Sequence, residues 1–320
     1  MYEFAFLLKT CKRDFKYVSR LLKTFIKYNA EKIHLFLVVE EESLQKLKDL
    51  VPETDHEDIT ILTDELFGGY FSKGPVGELS AGYINQEIVK LVFHKFRLSA
   101  NYLPLDSDAF FIRKFYYRDF MYNEYEPYTV LYEESEFFSD PQYYKNYSVK
   151  KKEWLKNICR VLEFDDTKIC SCHGFQIISS IVMEKFEKIV LEKNQYTYAD
   201  LMKIAPLEFS WYSIFLQKSD VIKIHPCGEI FKTFHTPYDH ALSLVKNISL
   251  EDYARGYAGI VINSNISSNY LCEYENISHY RFQLNVGRLM ECIVISVMSR
   301  MRILFSAAIS MIRKKCKKCS

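Results

Sequence analysis

Apolar runs that each stop at a polar cluster set the pattern of this chain. Tyr2–Leu8 is an apolar run broken only by Glu3, continuous over Phe4–Leu8, and ends at Lys9-Thr10. A run without alternation fits a strand buried on both faces of a parallel sheet. Thr10-Cys11-Lys12-Arg13-Asp14 reads as a polar turn, with Asp14 placed to cap the next helix. That helix carries Phe15, Val18, Leu21, Leu22, Phe25 and Ile26 at helical spacing. Lys32–Val39 predicts a second buried strand, ended by Glu40-Glu41-Glu42-Ser43 and a helix containing Leu44 and Leu47. Ile59–Leu62 predicts a third strand, followed by Thr63-Asp64-Glu65. Strand–helix–strand–helix–strand is the signature of a doubly wound α/β sheet. Ligands of such sheets sit beyond the carboxyl ends of the strands, where all three polar clusters fall.

The stretch Asn101–Phe115 stands out from this pattern. It reads as a buried strand that stops at Asp106-Ser107-Asp108 and resumes at Ala109–Ile112. Two carboxylates one residue apart are poor core material, because burying each unpaired costs several kcal/mol. A hard divalent cation held by oxygens would resolve this, and such a cation usually bridges to substrate phosphates. Before it lie the glycines of Gly68-Gly69 and Gly74-Pro75-Val76-Gly77, which predict a loop. A helix over Tyr83–Arg97 follows, with Ile84, Ile88, Leu91 and Val92 as its apolar face. Gln86 and Lys90 are four residues apart on it and project together. They form either a solvated face or part of a site at the acidic strand end.

Downstream, Glu133-Glu134-Ser135-Glu136 reads as a solvated acidic patch. His173–Ile178 reads as a strand returning to the sheet, and Glu184–Lys193 as an amphipathic helix. Leu207–Phe215 opens a helix with Glu208 in its first turn, where the helix dipole favours an acidic residue. Gly256–Asn263 closes the globular part. The tail differs: Cys292–Ile312 is apolar but interrupted by Arg300 and Arg302, and Arg313-Lys-Lys-Cys-Lys-Lys318 follows. The arginines make it a poor spanning helix. An apolar face beside a basic cluster fits a helix lying on an anionic membrane surface, or one packed on the domain or a partner. The expected organisation is one domain over residues 1–268 and a helical tail over 269–320.

Composition adds limits. Apolar content of 48% and charged content of 26% are those of a globular protein. A formal net charge of +1 gives no bias toward nucleic acid, which is not expected as a partner. The 24 Tyr and 24 Phe suit a site that stacks on bases or sugar rings. Nine cysteines at irregular spacing, with no signal-peptide pattern before them, predict free thiols in a reducing, cytoplasmic compartment. Cys170-Ser-Cys172-His173 and Cys316-Lys-Lys-Cys319 are partial soft-metal patterns without a second pair at zinc-finger spacing. No Gly-x-x-x-x-Gly-Lys-Ser/Thr occurs, and no Gly-x-Gly-x-x-Gly follows the first strand, so P-loop and dinucleotide chemistry are disfavoured.

The order Thr10-x-x-Arg13-Asp14, Glu40 at a strand end, Gly82-Tyr83-x-x-Gln86-x-x-x-Lys90-Leu91, then Leu105-Asp106-Ser107-Asp108 resembles the GT-A class of nucleotide-sugar glycosyltransferases. More narrowly, it is similar to a poorly characterised group of bacterial glycosyltransferase-like proteins. By element order the resemblance covers about residues 1–265. It implies a GT-A-like, mostly parallel sheet flanked by helices, and a Mn²⁺ or Mg²⁺ ion bridging protein carboxylate and donor diphosphate. It implies donor binding by Thr10, Arg13, Asp14, Glu40, Gln86, Lys90, Asp106 and Ser107. Asp108 is implied as the direct metal ligand, Asp106 as a ligand to the metal, its water or the ribose. His173 and Gly174 would support the sugar, and a late histidine, His235 before His240, would complete the metal site. Glu208 falls where GT-A enzymes take the general base of an inverting transfer, though it also reads as a helix-capping carboxylate. The implied partners are a nucleotide-sugar donor, UDP-linked by preference, and a glycan or lipid-linked glycan acceptor of the bacterial surface, such as lipooligosaccharide or capsule. The inner face of the cytoplasmic membrane would be the place of action. The competing expectation is a non-catalytic, membrane-docked α/β scaffold in which Asp106 and Asp108 hold a structural cation.

Overall fold

The structure is a computed structural model that describes residues 1–51, 57–131, 141–164, 175–234, 243, 248–263, 297 and 301, with the backbone alone for 141–150. His173, Gly174, His235, His240, the 133–136 acidic patch and the 302–320 basic segment lie outside the described residues. The chain divides into two compact units, Met1–Thr233 with Ala254–Ile262, and Phe234–Tyr253 with Asn263–Ser320. In the second, the Phe234 ring meets Tyr253 edge-on at 5.8 Å between centroids. The rest of this description concerns the first unit.

Its centre is a mixed, mostly parallel sheet of five strands. β1 (Tyr2–Lys9), β2 (His34–Val39), β3 (Ile59–Thr63), β4 (Ser99–Leu105) and β7 (Ile178–Ser179) lie in the order β3-β2-β1-β4-β7. β1 is parallel to β2, with Leu7 opposite Phe36, and parallel to β4, with Leu7 opposite Pro104. β2 is parallel to β3, and only β7 runs antiparallel. The six residues His34–Val39 are all buried, as a strand covered on both faces requires. β1 is therefore the point where the strand order reverses, with β2 on one side and β4 on the other. The crevice beyond the carboxyl ends of β1 and β4 is where such sheets hold ligands.

Helices flank the sheet. α1 (Phe15–Tyr28) buries Val18, Leu21, Leu22 and Phe25, the positions its spacing predicted. Asp14 occupies its N-cap position, but its side chain makes no capping hydrogen bond and instead accepts from Cys11 Sγ at 3.4 Å. α2 is the short Leu44–Lys48. α3 (Ala81–Val92) starts at a working cap, Ser80 Oγ accepting from the Tyr83 amide at 3.2 Å. The helix predicted to run on to Arg97 tightens into a 3₁₀ turn at Phe93–Phe96 and stops where Arg97 turns left-handed at φ 52°. A left-handed residue cannot continue a right-handed helix. Around β1, Phe6 sits 5.1 Å from Phe120 and 5.5 Å from both Phe111 and Phe115, an aromatic core that uses much of the phenylalanine content.

The stretch after Asp108 does not resume the same sheet. β5 (Ala109–Phe111) turns away and pairs antiparallel with β10 (Gly259–Ile262), which also lies beside β9 (Phe231–Phe234). The intervening Asp106-Ser107-Asp108 is a turn, with the Ala109 amide bonded to the Asp106 carbonyl at 3.1 Å. β6 (Tyr128–Val130) pairs in parallel with β8 (His225–Cys227). Gln176, predicted inside a returning strand, stands before the two-residue β7. Its buried amide bonds the Val130 backbone and the Ser213 hydroxyl, so a side chain supplies the bonds a strand would. α4 spans Pro141–Leu162 and α5 Ser180–Phe186, which continues through a π-helical turn at Glu187–Glu192. α6 (Tyr198–Ile204) and α7 (Glu208–Lys218) complete the unit.

Candidate functional site

The carboxyl ends of β1, β2, β3 and β4 assemble the polar groups that the sequence scatters over a hundred positions. Thr10 leaves β1 buried, and its hydroxyl accepts from Ser107 Oγ at 3.0 Å, tying the end of β1 to the turn after β4. Lys9 is buried beside it and donates to Asp64 Oδ2 at 2.9 Å and to the Thr10 carbonyl at 3.2 Å. Glu40, at the end of β2, lies 3.7 Å from the same ammonium and is half-buried. Sequence reading missed Lys9 and Asp64 as site residues. Their signal was position alone: each closes or follows an apolar run at a strand's carboxyl end.

Asp106 is the meeting point with α3. Gln86 Nε2 donates to its Oδ1 at 3.3 Å, and Lys90 Nζ lies 3.1 Å from the same oxygen. Both residues of the i,i+4 pair thus converge on the acidic turn. Lys90 does more. Its ammonium donates to Glu87 Oε2 at 3.1 Å and to Glu208 Oε1 at 3.0 Å, and it lies over the Phe209 ring at 5.1 Å. Glu208 arrives from the first turn of α7, 118 residues away. The backbone carbonyl of Lys90 is held by the Tyr102 hydroxyl at 2.8 Å.

The electrostatics follow from burial. Burial alone would depress the Lys90 ammonium, but Asp106, Glu208 and Glu87 outweigh it and hold it well above the usual lysine range. Glu87 goes the other way: burial first, and the charge of Glu208 second, push it well above the ordinary carboxylate range. Burial would raise Glu208 too, yet Lys90 and hydrogen bonds from Glu87 and Lys90 keep it below its ordinary value. The opposite directions set the two acids apart, Glu87 toward the neutral carboxyl and Glu208 toward the carboxylate. Glu87 was also missed by sequence reading, where its i,i+3 spacing to Lys90 was the available signal.

Asp108 is buried, and its backbone carbonyl accepts from Arg20 Nη2 at 2.9 Å, an arginine that stacks on Phe110 at 4.3 Å. Arg13 does not join the cluster. Its side chain is 86% exposed and its nearest carboxylate is Asp14, at 3.4 Å. Among the described residues no group of three or more His, Cys, Asp or Glu side chains is arranged to hold a metal. The carboxylates of Asp106 and Asp108 are the hard oxygen groups at the turn, of the type that could hold a cation completing its coordination with water or phosphate. Among the described residues no helix is long and apolar enough to cross a membrane.

A model for a family of unknown function, DUF6492, matches residues 6–239. No curated protein matches the chain. Among solved structures it is similar to mouse xyloside xylosyltransferase 1 in its apo form, at 12% identity over 82% of this chain and 98% of that one, with a TM-score of 0.45. It is similar to the galactosyltransferase LgtC bound to donor and acceptor sugar analogues, at 10% identity over 81% and 87%, with a TM-score of 0.43. A third likeness is to the bifunctional glycosyltransferase WbbM, at 8% identity over 81% of this chain and 45% of that one, with a TM-score of 0.46.

Proposed function

We propose that this chain, which belongs to the DUF6492 family of unknown function, is a metal-dependent glycosyltransferase that takes a sugar from a nucleotide-sugar donor, UDP-linked by preference. One observation carries the reading. Asp106-Ser107-Asp108 stands outside the carboxyl end of β4 at the strand-order reversal, bonded to Thr10 of the neighbouring strand end and met by Gln86 and Lys90 of α3.

A divalent cation, Mn²⁺ or Mg²⁺, on Asp106 and Asp108 would neutralise the departing diphosphate as a Lewis acid. The chain's own groups do the remainder. Thr10, Glu40 and Ser107 face the nucleotide end from β1, β2 and the acidic turn. Lys90 and Gln86 flank the diphosphate end, Lys90 as a fixed positive charge. Transfer breaks the bond between anomeric carbon and phosphate oxygen and forms one to an acceptor hydroxyl oxygen. The electron pair leaves with the diphosphate, and the hydroxyl proton goes to Glu208 as general base. We infer a glycan or lipid-linked glycan of the bacterial surface as the acceptor, reached at the inner face of the cytoplasmic membrane. The basic segment Arg313-Lys-Lys-Cys-Lys-Lys318 supports that location by its attraction to anionic lipid.

The test is a thermal-shift screen of UDP, GDP and CMP and their sugars, with and without Mn²⁺, since a ligand of the native state raises apparent stability by mass action. A metal-dependent shift with one nucleotide, lost in Asp108→Ala, is the expected result. A folded protein that responds to none of them overturns the reading. It would favour a scaffold, for which the fully satisfied Lys90 cluster is a structural pin.

A further inference from the structure

Lys90 carries three N–H donors, and three carboxylate oxygens lie 3.0–3.1 Å from its nitrogen. The three acceptors are not equivalent. The Glu87 side chain is 3% exposed and that of Glu208 is 11% exposed, but that of Asp106 is 39% exposed. Two acceptors are therefore walled in by α3 and α7, and the third stands at the open strand end. A lysine ammonium on its four-carbon stem has no fixed direction of its own, unlike a guanidinium fork. Something must aim it if it is to act as a preorganised charge.

A second acid beside Glu208 is otherwise expensive. Burying another carboxyl group there costs desolvation, and ionising it beside Glu208 would add like-charge repulsion. Glu87 is on the same helix as Lys90, one turn before it, so its placement does not depend on a loop. It touches both the ammonium and Glu208, so it fixes their separation as well as the direction of each.

We propose that Glu87 is a positioning residue. With Glu208 it occupies two of the three Lys90 donors and aims the third at the accessible side of Asp106, where a phosphate oxygen of an anionic ligand competes for it. The proposal rests on the nucleotide-diphosphate reading of the site and adds a residue that contacts no ligand itself. It also assigns Asp106 as the exchangeable partner of Lys90 and Glu87 as the permanent one, leaving Glu208 its role as base.

The experiment is calorimetric titration of UDP with Mn²⁺ into the full chain and into the E87Q, E87L, E87D, K90M and E87L/K90M variants, each first shown to be folded by circular dichroism. Glutamine keeps an oxygen for Lys90 and an N–H for Glu208, so E87Q should bind within about twofold of wild type. E87L and E87D lose or withdraw that oxygen and should each bind about tenfold more weakly, the loss of one charge-assisted hydrogen bond. On the K90M background E87L should add less than about twofold, because a residue acting through Lys90 has nothing left to aim. An E87L effect as large without Lys90 as with it overturns the proposal, and so does wild-type affinity in E87D, which decides the matter if E87L does not fold. A wild-type protein that binds neither UDP, GDP nor CMP overturns the underlying site reading instead, and the proposal with it.

Discussion

Replacing Lys90 by methionine removes the one cation from the buried cluster while keeping most of its volume. Three side-chain carboxyl oxygens, of Glu208, Glu87 and Asp106, at 3.0, 3.1 and 3.1 Å lose their shared partner. Breaking a buried pair from one side costs about 3–5 kcal/mol, because the surviving charge stays buried and uncompensated. For a unit of this size each kcal/mol is about 2–4 °C, so K90M should melt roughly 6–20 °C below wild type near neutral pH. The effect has a pH signature. In the wild type Glu208 is held below its usual 4.5, so its contribution is present above that value and lost as pH falls through the lower, folded one. Without Lys90 its folded value rises instead, and the penalty grows as pH increases past the unfolded one. Between pH 5 and 7.5 only the second effect changes, so the gap in melting temperature should be wide at about pH 7.5 and narrower, without closing, at about pH 5. Circular-dichroism melts of both proteins at the two pH values decide it. A K90M melting temperature within about 2 °C of wild type at the higher pH, or a gap that widens on acidification, refutes the reasoning.

Other consequences are smaller in scope. Glu187 accepts from Tyr198 Oη at 2.7 Å and from Lys95 Nζ at 2.6 Å, and lies 3.4 Å from His94 Nε2. Burial would raise its pKa, but these partners pull it to about 2, so its contribution is lost as pH falls from the ordinary 4.5 toward that value. E187Q should lower stability by about 2 kcal/mol at neutral pH and by much less near pH 3, read from urea midpoints. Gly259 has no room for a side chain: a Cβ there would run into the Phe231 ring and lie 2.5 Å from the Phe110 carbonyl oxygen. Gly259→Ala should destabilise by about 3 kcal/mol, and an unchanged melting curve would contradict the packing of β10. His34 is driven down to about 4 by burial, with its ring bonded to Thr60 Oγ1 at 2.8 Å. Its NMR resonances should hold steady from pH 8 to about pH 5, and a midpoint near the ordinary 6.5 would contradict the burial.

Local pattern carried much of this protein. The mainly apolar runs at Tyr2–Leu8, Lys32–Val39 and Ile59–Leu62 became β1, β2 and β3, because a strand covered by helices admits few polar residues, and the His34 ring and Thr60 hydroxyl that do occur there bond each other. The spacing of Phe15 to Phe25 marked the buried face of α1, because a helix returns every 3.6 residues to the same side. The Asp106-Ser107-Asp108 turn was legible for the opposite reason, since two carboxylates in an apolar stretch mark the end of a strand. Tertiary structure decided the rest. That the chain beyond Asp108 leaves the sheet to pair with Gly259–Ile262 is not written in either segment, as both are short apolar runs with many possible partners. Lys90 was visible as a helix residue one turn from Gln86, but its bond to Glu208 spans 118 positions. Periodicity reports which face of an element is buried, whereas the partner of a buried charge is chosen by which other elements pack against that face.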